Sequence, residues 1–387
     1  MGRRFVGIRR NRLVRVSIVL SVFGLVAAPN AFAQQAPKKG TAQSVATQAQ
    51  TYFQGKTITL ISPFSIGGSA DVTAREFAQY LPQFIPGHPT VIVKDIIGGG
   101  GATAMTDVSE VLPADGTNIV VVDTSIPLRR LFNQPGHTYA LASMPIVGDI
   151  PTSLIVGAQT DVGKTVQALR ARSMKSTLTT GYTAPGAIAE IDVTLGLRLL
   201  GIPFKNVFGF AGAGAPLALA VQQGQIQIVN AGISGWTKSY QMLADQGIIY
   251  PLFQSGKINS KGQIERDPAL GKLGKLPTID QLYRASHHGQ APKGPNWTGF
   301  QTLVRLLQLG YAFMLHPNTP SPAVYALREG FQKMLQNKSA VNAMSGPLGA
   351  KPEYVSAGAA QSLVHGIFHM SASQVTFLEE ASGLQPS

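Results

Sequence analysis

The sequence predicts an α/β protein made of two doubly wound units. Strand-like apolar segments alternate with helical segments along most of the chain, and this order is typical of parallel sheets covered by helices. Segments such as "NIVVVD" and "TSLIVGA" are mostly apolar along their length, as burial on both faces of a sheet requires. The chain has 387 residues, which is enough for two domains of ordinary size.

The first unit is predicted to alternate strands and helices up to residue 123. In its first helix, Ala74, Phe77 and Leu81 recur at helical spacing, which indicates one buried face. A "PADG" turn closes its second helix. The expected strands are 56–62, 90–96 and 118–123, and the expected helices are 71–85 and 102–112.

The second unit is predicted to begin near residue 150 and to repeat the same alternation. The C-terminal third reads as mostly helical, with one amphipathic helix over residues 321–337. Residues 256–300 are polar and rich in glycine and proline, which is typical of long surface segments. The expected strands of the second unit are 152–158, 176–181, 206–211 and 226–232, and its helices are 165–173, 185–201 and 214–225.

The N-terminus has the pattern of a cleaved secretory signal peptide over residues 1–33. Six arginines and no acidic residue precede an apolar stretch, and "AFA" ends at Ala33, where a signal peptidase would cut. Without this segment the formal net charge falls by six, from +13 to +7. Residues 34–54 are polar and small, so we expect a flexible leader there. The mature protein is therefore expected to be exported.

Composition excludes several classes of function. The chain has no cysteine, which rules out disulfides, thiolate metal sites and cysteine nucleophiles. No cluster of basic residues interleaves with aromatics, so nucleic-acid binding is not expected. No G-x-S-x-G motif or acid/base pair of carboxylates is present, so no catalytic residue is predicted. His365 and His369 have helical spacing, but without further ligands they predict no metal site.

The segment "PFSIGGSAD", residues 63–71, is the main candidate site. A buried strand ends there in a glycine loop, and a helix follows. The unpaired amides and the dipole of a helix N-terminus favour an anion. Gly67 and Gly68 allow a ligand to approach the backbone closely, and Ser69 is a candidate helix cap. An ordinary strand-to-helix turn is the alternative interpretation.

The segment "TLTTGYTAPGAIAE", residues 177–190, is a candidate second wall of the same site. It also leads from a strand through a glycine-containing turn to a helix. Hydroxyl groups, amides and one aromatic ring suit a small polar organic acid. Simple helix capping explains the same residues equally well. The candidate residues of this turn are Thr180, Gly181, Tyr182 and Thr183.

The glycine turn after residue 97 resembles a dinucleotide-binding fingerprint. Gly99, Gly101 and Ala104 match G-x-G-x-x-A, and Asp123 ends the next strand. This match supports an exported nicotinamide-dependent enzyme as an alternative. The signal peptide argues against it, because exported enzymes rarely meet free NAD, and the fingerprint normally follows the first strand. No cofactor is therefore predicted.

Several segments, in the right order, resemble the receptors of tripartite tricarboxylate transporters, also called Bug-type periplasmic solute-binding proteins. The strand, the P-F-x-x-G-G-x-x-D loop and the helix of residues 55–82 match the opening of that family. "GGGGATAM", "TLTTGYTAPGAIAEID", "GFAGAGAPLALAVQQGQIQ", "LPTIDQL" and "HPNTPSPAVYALREGF" resemble its later blocks. The resemblance covers roughly residues 52–385.

The resemblance implies a type II periplasmic-binding-protein fold, with a ligand cleft between two doubly wound α/β lobes. It implies that residues 55–149 and 308–387 form lobe 1 and that residues 150–307 form lobe 2. It also implies that loop groups hold a ligand carboxylate and that Asp71 faces an amine or hydroxyl of the ligand. The implied ligand-binding residues are Phe64, Ser65, Ile66, Gly67, Gly68, Ser69, Ala70, Asp71, Thr124, Ser125, Thr180, Gly181, Tyr182, Thr183 and Ala184.

Four positions depart from the family pattern. Ile66 replaces a proline, Ala187 a histidine, Ala211 a lysine and Gln227 an aspartate. The loss of charge disfavours a di- or tricarboxylate and favours an aromatic or amide-bearing ligand. The expected function is a monomeric periplasmic receptor that delivers a small organic acid to transporter subunits or a sensor kinase. A ligand-free interaction protein is a further alternative.

Overall fold

The computed structural model describes residues 39–385. The predicted signal peptide, residues 1–33, lies outside these described residues. No helix in the described part of the chain is long and apolar enough to cross a membrane.

The described chain contains every strand that its sequence predicts, together with further strands and helices that it does not predict. The strands are β1 Thr57–Ser62, β2 Thr90–Asp95, β3 Asn118–Asp123, β4 Ile146–Ile150, β5 Leu154–Gln159, β6 Leu178–Tyr182, β7 Phe204–Phe208, β8 Ile228–Gly232, β9 Ile249–Gln254, β10 Lys257–Ile258, β11 Ile264–Glu265, β12 Tyr311–Leu315 and β13 Val355–Ser356. The helices are α1 Lys39–Ala49, α2 Ser69–Tyr80, α3 Ala102–Thr106, α4 Ser125–Leu131, α5 Val166–Lys175, α6 Ile188–Leu199, α7 Ala215–Gln222, α8 Ile233–Gly235, α9 Gln241–Asp245, α10 Ile279–Ser286, α11 Pro295–Leu306, α12 Ser321–Gln336, α13 Lys338–Leu348, α14 Ala357–Phe368 and α15 Ala372–Ala381.

The first lobe is built on a mixed sheet with the strand order β13-β4-β12-β3-β1-β2. Strand β1 pairs in parallel with β2 and with β3, as the strand–helix alternation predicts. Strand β12 runs antiparallel to β3 and β4. Phe77, Phe313 and Phe331 pack together on one face of this sheet, with ring centroids 4.8–5.3 Å apart.

The second lobe is built on a sheet with the strand order β7-β6-β8-β5-β9. Strand β6 is parallel to β7 and β8, whereas β5 is antiparallel to β8 and β9. The expectation of a parallel sheet is therefore wrong for β5. Strand β12, which also runs antiparallel to its neighbours, lies in the part of the chain that was expected to be mostly helical. Both strands lie next to a point where the chain passes between the lobes, and such a strand enters its sheet from the opposite end.

The chain passes between the lobes at two adjacent places, residues 151–153 and 307–310. A side chain on Gly310 would collide with the backbone of Ile150, Pro151 and Thr152. Glycine therefore allows the two passages to touch. This junction, where the chain crosses from one lobe to the other, borders the space between the lobes.

A flexible leader was expected over residues 34–54, and helix α1 corrects this expectation for the described part, residues 39–54. Helix α1 packs against α12, and Ala49 and Phe53 are fully buried in the core of the first lobe. The hydroxyl of Tyr52 donates to the carbonyl of Asp115 (3.0 Å). The polar composition of the segment indicates disorder, but a few apolar side chains are enough to dock it.

Residues 256–300 are more regular than their composition indicates. They form the hairpin β10–β11, the helix α10 and the start of α11, and α10 and α11 pack against α6 of the second lobe. Helix α15 also packs against α6 and α11. The C-terminal helix therefore contacts the second lobe, although its residues were expected to belong to lobe 1.

Candidate ligand site between the lobes

A cavity of about 360 Å³ lies between the lobes, at the carboxyl ends of β1, β3, β6 and β8. This volume is within the range of small-molecule sites, about 300–1,000 Å³. Its wall is mostly apolar, with a few polar groups at the strand ends. Of the predicted ligand-binding residues, the following line it: Phe64, Ser65, Gly68, Ser69, Ala70, Thr124, Ser125, Tyr182, Thr183 and Ala184.

The remaining predicted residues do not line the cavity: Ile66, Gly67, Asp71, Thr180 and Gly181. The side chain of Ile66 is 64% exposed to solvent. The hydroxyl of Thr180 donates to the hydroxyl of Tyr182 (3.1 Å). Both loops still reach the cavity, because other residues of each loop line it. The ligand-binding role of the whole set stays a prediction.

Asp71 is placed differently from the expectation that it faces the ligand. Its residue is 1% exposed, and its Oδ2 accepts a hydrogen bond from the amide of Gly67 (2.8 Å). Its Oδ1 lies 2.6 Å from Nε of Arg75 on the same helix. Asp71 therefore holds the glycine loop against the start of α2.

The loop of the second lobe has the same arrangement. The amide of Gly186 donates to Oε2 of Glu190 (2.8 Å), which also lies four residues further along the chain. Gly67 and Gly186 both have positive φ values, 79° and 81°. Burial raises the pKa of Glu190 to about 8, although its hydrogen bonds from Gly186 and Asn206 oppose the shift.

Three helices of eight or more residues in the described chain begin at the wall of the cavity. Ser69 and Ala70 open α2, Ile188 and Ala189 open α6, and Gly214 precedes α7. The first amides of a helix have no acceptor within that helix, and the helix dipole adds positive potential. These helix starts favour an anion at this wall, whereas Asp123, which also lines it, opposes one. Ser69 does not cap α2, because the N-cap residue is Gly68.

Thr124 and Ser125, which follow β3, connect the first lobe to the second lobe and to the returning passage, residues 307–310. The hydroxyl of Ser125 accepts a hydrogen bond from the amide of Ile188 at the start of α6 (3.1 Å) and donates to Oδ2 of Asp123 (3.2 Å). The hydroxyl of Thr124 donates to the carbonyl of Leu309 in the returning passage. These bonds place β3 and α4 against both the second lobe and the junction.

The loops of the two lobes also bond directly to each other. The hydroxyl of Ser65 donates to the carbonyl of Ala213 (2.8 Å), and the hydroxyl of Ser239 donates to the carbonyl of Gly67 (2.9 Å). Ser69 donates to the carbonyl of Gly232 (3.2 Å) through its hydroxyl, which also accepts from the amide of Gly235 (3.1 Å). The lobes are therefore closed on one another along one side of the cavity.

Arg129, which no motif in the sequence singles out, also lines the cavity. The side chain belongs to α4, is only 2% exposed and lines the wall. Its Nη1 donates to the carbonyl of Gly100 (2.7 Å), Nε to Pro185 (3.1 Å) and Nη2 to Ala184 (3.3 Å). It thus joins the glycine turn of the first lobe to the loop of the second.

The glycine turn that resembles a dinucleotide fingerprint is packed against side chains of its own lobe. Its carbonyls accept hydrogen bonds from Arg129 and, at Gly99, from Nε2 of His137 (2.9 Å). Burial lowers the pKa of His137 to about 4, so this imidazole is neutral at pH 7. The turn holds these two side chains, and its residues 97–101 also line the cavity.

Within residues 39–385, no group of three or more His, Asp or Glu side chains could hold a metal ion. Nδ1 of His369 lies 2.7 Å from the carbonyl of His365. This contact is an ordinary bond within one turn of helix.

Comparisons with known proteins relate the chain to binding proteins. No family model matches it. A segment of 112 residues, 28% of this chain, is 36% identical to Protein BugT of Bordetella pertussis, and it spans only 33% of that relative's length. The solved structure of the periplasmic binding protein BugD superposes with a TM-score of 0.66 at 18% identity, over 86% of this chain and 99% of the other.

Rpa4515 of R. palustris, solved with adipate, gives the same TM-score, 0.66, at 18% identity over 86% of this chain and 99% of its own. At this level of identity the structures establish the fold, and the BugT segment adds a relationship in sequence. The comparisons confirm the resemblance that the motifs indicate: this chain has the two-lobed fold of the Bug-type periplasmic binding proteins and resembles one of them in sequence.

Proposed function

We propose that the protein is a periplasmic receptor that binds a small carboxylate-bearing solute between its lobes and presents it to a membrane transporter or sensor. The convergence of three helix N-termini on one largely apolar cavity between the lobes carries this proposal. A carboxylate head suits the helix amides, and an apolar body suits the rest of the wall. The adipate found with the structural relative Rpa4515 is a solute of this kind.

The energies are compatible with useful affinity. Each helix N-terminus contributes about 0.3–2 kcal/mol to anion binding, so three contribute several kcal/mol. Micromolar affinity needs about 8 kcal/mol. Burial of apolar ligand surface at about 25 cal/mol per Å² supplies the remainder. The wall therefore selects for an acid with a hydrocarbon body rather than for a small inorganic anion.

The test is a thermal-shift screen of purified protein that has been unfolded and refolded to remove bound solutes. Straight-chain dicarboxylates of four to eight carbons are compared with diamines of the same lengths. A ligand at 100 times its Kd adds about 2.7 kcal/mol of stability, which raises the Tm by several degrees or less for a chain this large. Shifts with diamines equal to those with acids, or no shift with any acid, would contradict the proposal.

A cavity-filling variant locates the site. Ala189 opens α6 and lines the cavity, so Ala189→Phe is expected to remove at least about nine-tenths of the binding affinity by occupying the space of the ligand. Ala343→Phe, on an exposed face of α13, is the matched control and is expected to bind normally. Equal binding by both variants would place the ligand elsewhere.

A further inference from the structure

Arg129 is a buried cation at the wall of the cavity. Its residue is 2% exposed, and among the described residues no carboxylate oxygen lies within 4.0 Å of its nitrogens. Buried charges in proteins are normally paired, because an unpaired ion loses its hydration without compensation. The hydrogen bonds of Arg129 therefore go to carbonyl oxygens, and Asp123 and Glu190 act on its charge only from beyond ion-pair distance.

The guanidinium also retains hydrogen-bonding capacity. It has five N–H groups, and its three bonds go to the carbonyls of Gly100, Ala184 and Pro185. Two N–H groups have no acceptor among the described residues. A carboxylate is the group that best satisfies a charged fork of this kind.

We propose that Arg129 is a specificity-determining residue that pairs with a second acidic group on the ligand. The inference rests on the proposed function, in which the helix N-termini hold the first carboxylate. It reverses the expectation, based on the lost charges at Ala187, Ala211 and Gln227, that a two-headed acid is disfavoured. The chain lacks charged residues at these three positions, where the family pattern has them. It has instead a buried cation, Arg129, at a position that the family motifs do not include.

The neighbouring acids do not replace this partner. Asp123 accepts from the amide (3.0 Å) and hydroxyl (3.2 Å) of Ser125, and Glu190 accepts from the amide of Gly186. Each carboxylate is therefore already bonded, and each lies beyond ion-pair distance from Arg129. Asp123 lines the same cavity, so it opposes an incoming anion and partly offsets the charge of Arg129.

A structural role for Arg129 must be separated from a role in recognition, because its three bonds join the lobes. The first experiment therefore uses the wild-type protein, with isothermal titration of each dicarboxylate of four to eight carbons and of its monomethyl ester. The ester keeps one carboxylate and nearly the same length. A charge-assisted pair predicts at least about tenfold weaker binding of the ester.

The second experiment asks whether this preference depends on Arg129. Arg129→Gln is expected to reduce the diacid-to-ester ratio to less than about threefold while affecting ester affinity much less, and Arg129→Lys, which keeps the charge, is expected to retain part of the ratio. If Arg129 only holds the lobes together, its substitution would weaken the binding of the diacid and of the ester alike. If Arg129→Gln does not fold, Asp123→Asn is used instead and is expected to increase the ratio by removing the opposing charge.

The outcomes are distinguishable. Equal wild-type affinity for diacid and ester, or a ratio that the substitutions leave unchanged, overturns the role of Arg129 but leaves a carboxylate receptor intact. Failure of every acid and ester to bind overturns the proposed function itself. A large wild-type ratio that collapses in Arg129→Gln, or rises in Asp123→Asn, supports the inference.

Discussion

At the scale of single residues, the two loops of the site share one solution to a geometric problem. Gly67 and Gly186 have left-handed backbone conformations and lie just before α2 and α6. Their amides therefore take no part in the hydrogen bonds of those helices. Asp71 and Glu190 bind those amides from the first turn of the following helices. An acidic residue near a helix N-terminus is also favourable with respect to the dipole. The loop is thereby held rigid without a side-chain cap.

This arrangement shows how far local sequence can predict a site. "PFSIGGSAD" predicts a strand, a glycine loop and a helix, and these are confirmed. The direction of the Asp71 side chain could not be predicted, because it depends on an amide that becomes available only in the folded loop. Arg129 lies in "SIPLRRLF" beside a second arginine, and no spacing distinguishes the buried one from its neighbour.

The buried acids predict a stability that falls as the pH rises above neutrality. Burial raises the pKa of Asp149 to about 8, of Glu190 to about 8 and of Asp192 to about 7. Unfolded carboxyls titrate near pH 4, so above that pH the native state holds protons that the unfolded state has lost. The free energy of unfolding therefore decreases with pH up to about pH 8, by about 1.4 kcal/mol per pH unit for each such proton.

The measurement is urea unfolding between pH 7 and 9. There the opposing effect of His137, whose native pKa is about 4, is small, because an unfolded histidine has a pKa near 6.5 and is mostly neutral above pH 7. Asp149→Asn is expected to flatten the dependence, because it removes one retained proton. Asp161→Asn, at an exposed position, is the control. Stability that rises over this range, or an Asp149→Asn protein with the wild-type slope, would contradict the assignment.

At the scale of elements, the sequence predicts most of the central strands but misses β4, β9 and β12. Strands β3 and β5 are apolar over most of their length, and burial on both faces imposes that pattern regardless of direction. Whether β5 and β12 run parallel or antiparallel depends on where the chain passes between the lobes. The position of these passages depends on contacts such as the one between Gly310 and Pro151. Such contacts lie outside the strands, so the apolar pattern of a strand does not reveal them.

Helix α1 was missed for a different reason, and its docking yields a prediction. Phe53, just after the helix, is fully buried and lies near Tyr52 in an edge-to-face arrangement (ring centroids 5.0 Å). Phe53→Ala is expected to lower the free energy of unfolding by about 3–5 kcal/mol. Thr51→Ala, at an exposed neighbouring position, is expected to change it by less than about 0.5 kcal/mol. Urea unfolding of both variants decides whether this segment is docked or is a free leader, since a free leader predicts no difference between them.

At the scale of the whole molecule, closure depends on backbone groups in two loops that meet across the cleft. One is the glycine loop before α2, and the other is the loop before α7. A side chain on Gly214 would lie 2.6–2.7 Å from the backbone of Gly67 and Gly68, so the loops meet at van der Waals distance. Ser65, Ser69 and Ser239 then supply hydroxyls that bridge the lobes. Ser65 and Ser69 also line the cavity, so the proposed function predicts that ligand capture and closure are coupled.

Ser69 tests this coupling most directly, because its hydroxyl makes two bonds across the cleft, to the carbonyl of Gly232 and from the amide of Gly235. Each bond contributes about 0.5–1.5 kcal/mol, so Ser69→Ala is expected to shift the equilibrium between closed and open lobes about five- to 150-fold towards open. Small-angle X-ray scattering without ligand should then give a larger radius of gyration than for the wild type, and saturating ligand should restore the compact form. Ser345→Ala is the matched control, since that hydroxyl bonds only to Val341 within its own helix (2.6 Å). A ligand-free Ser69→Ala protein as compact as this control would show that the hydroxyl bridges do not set the closed state, and that shape complementarity between the glycine loops is sufficient for it.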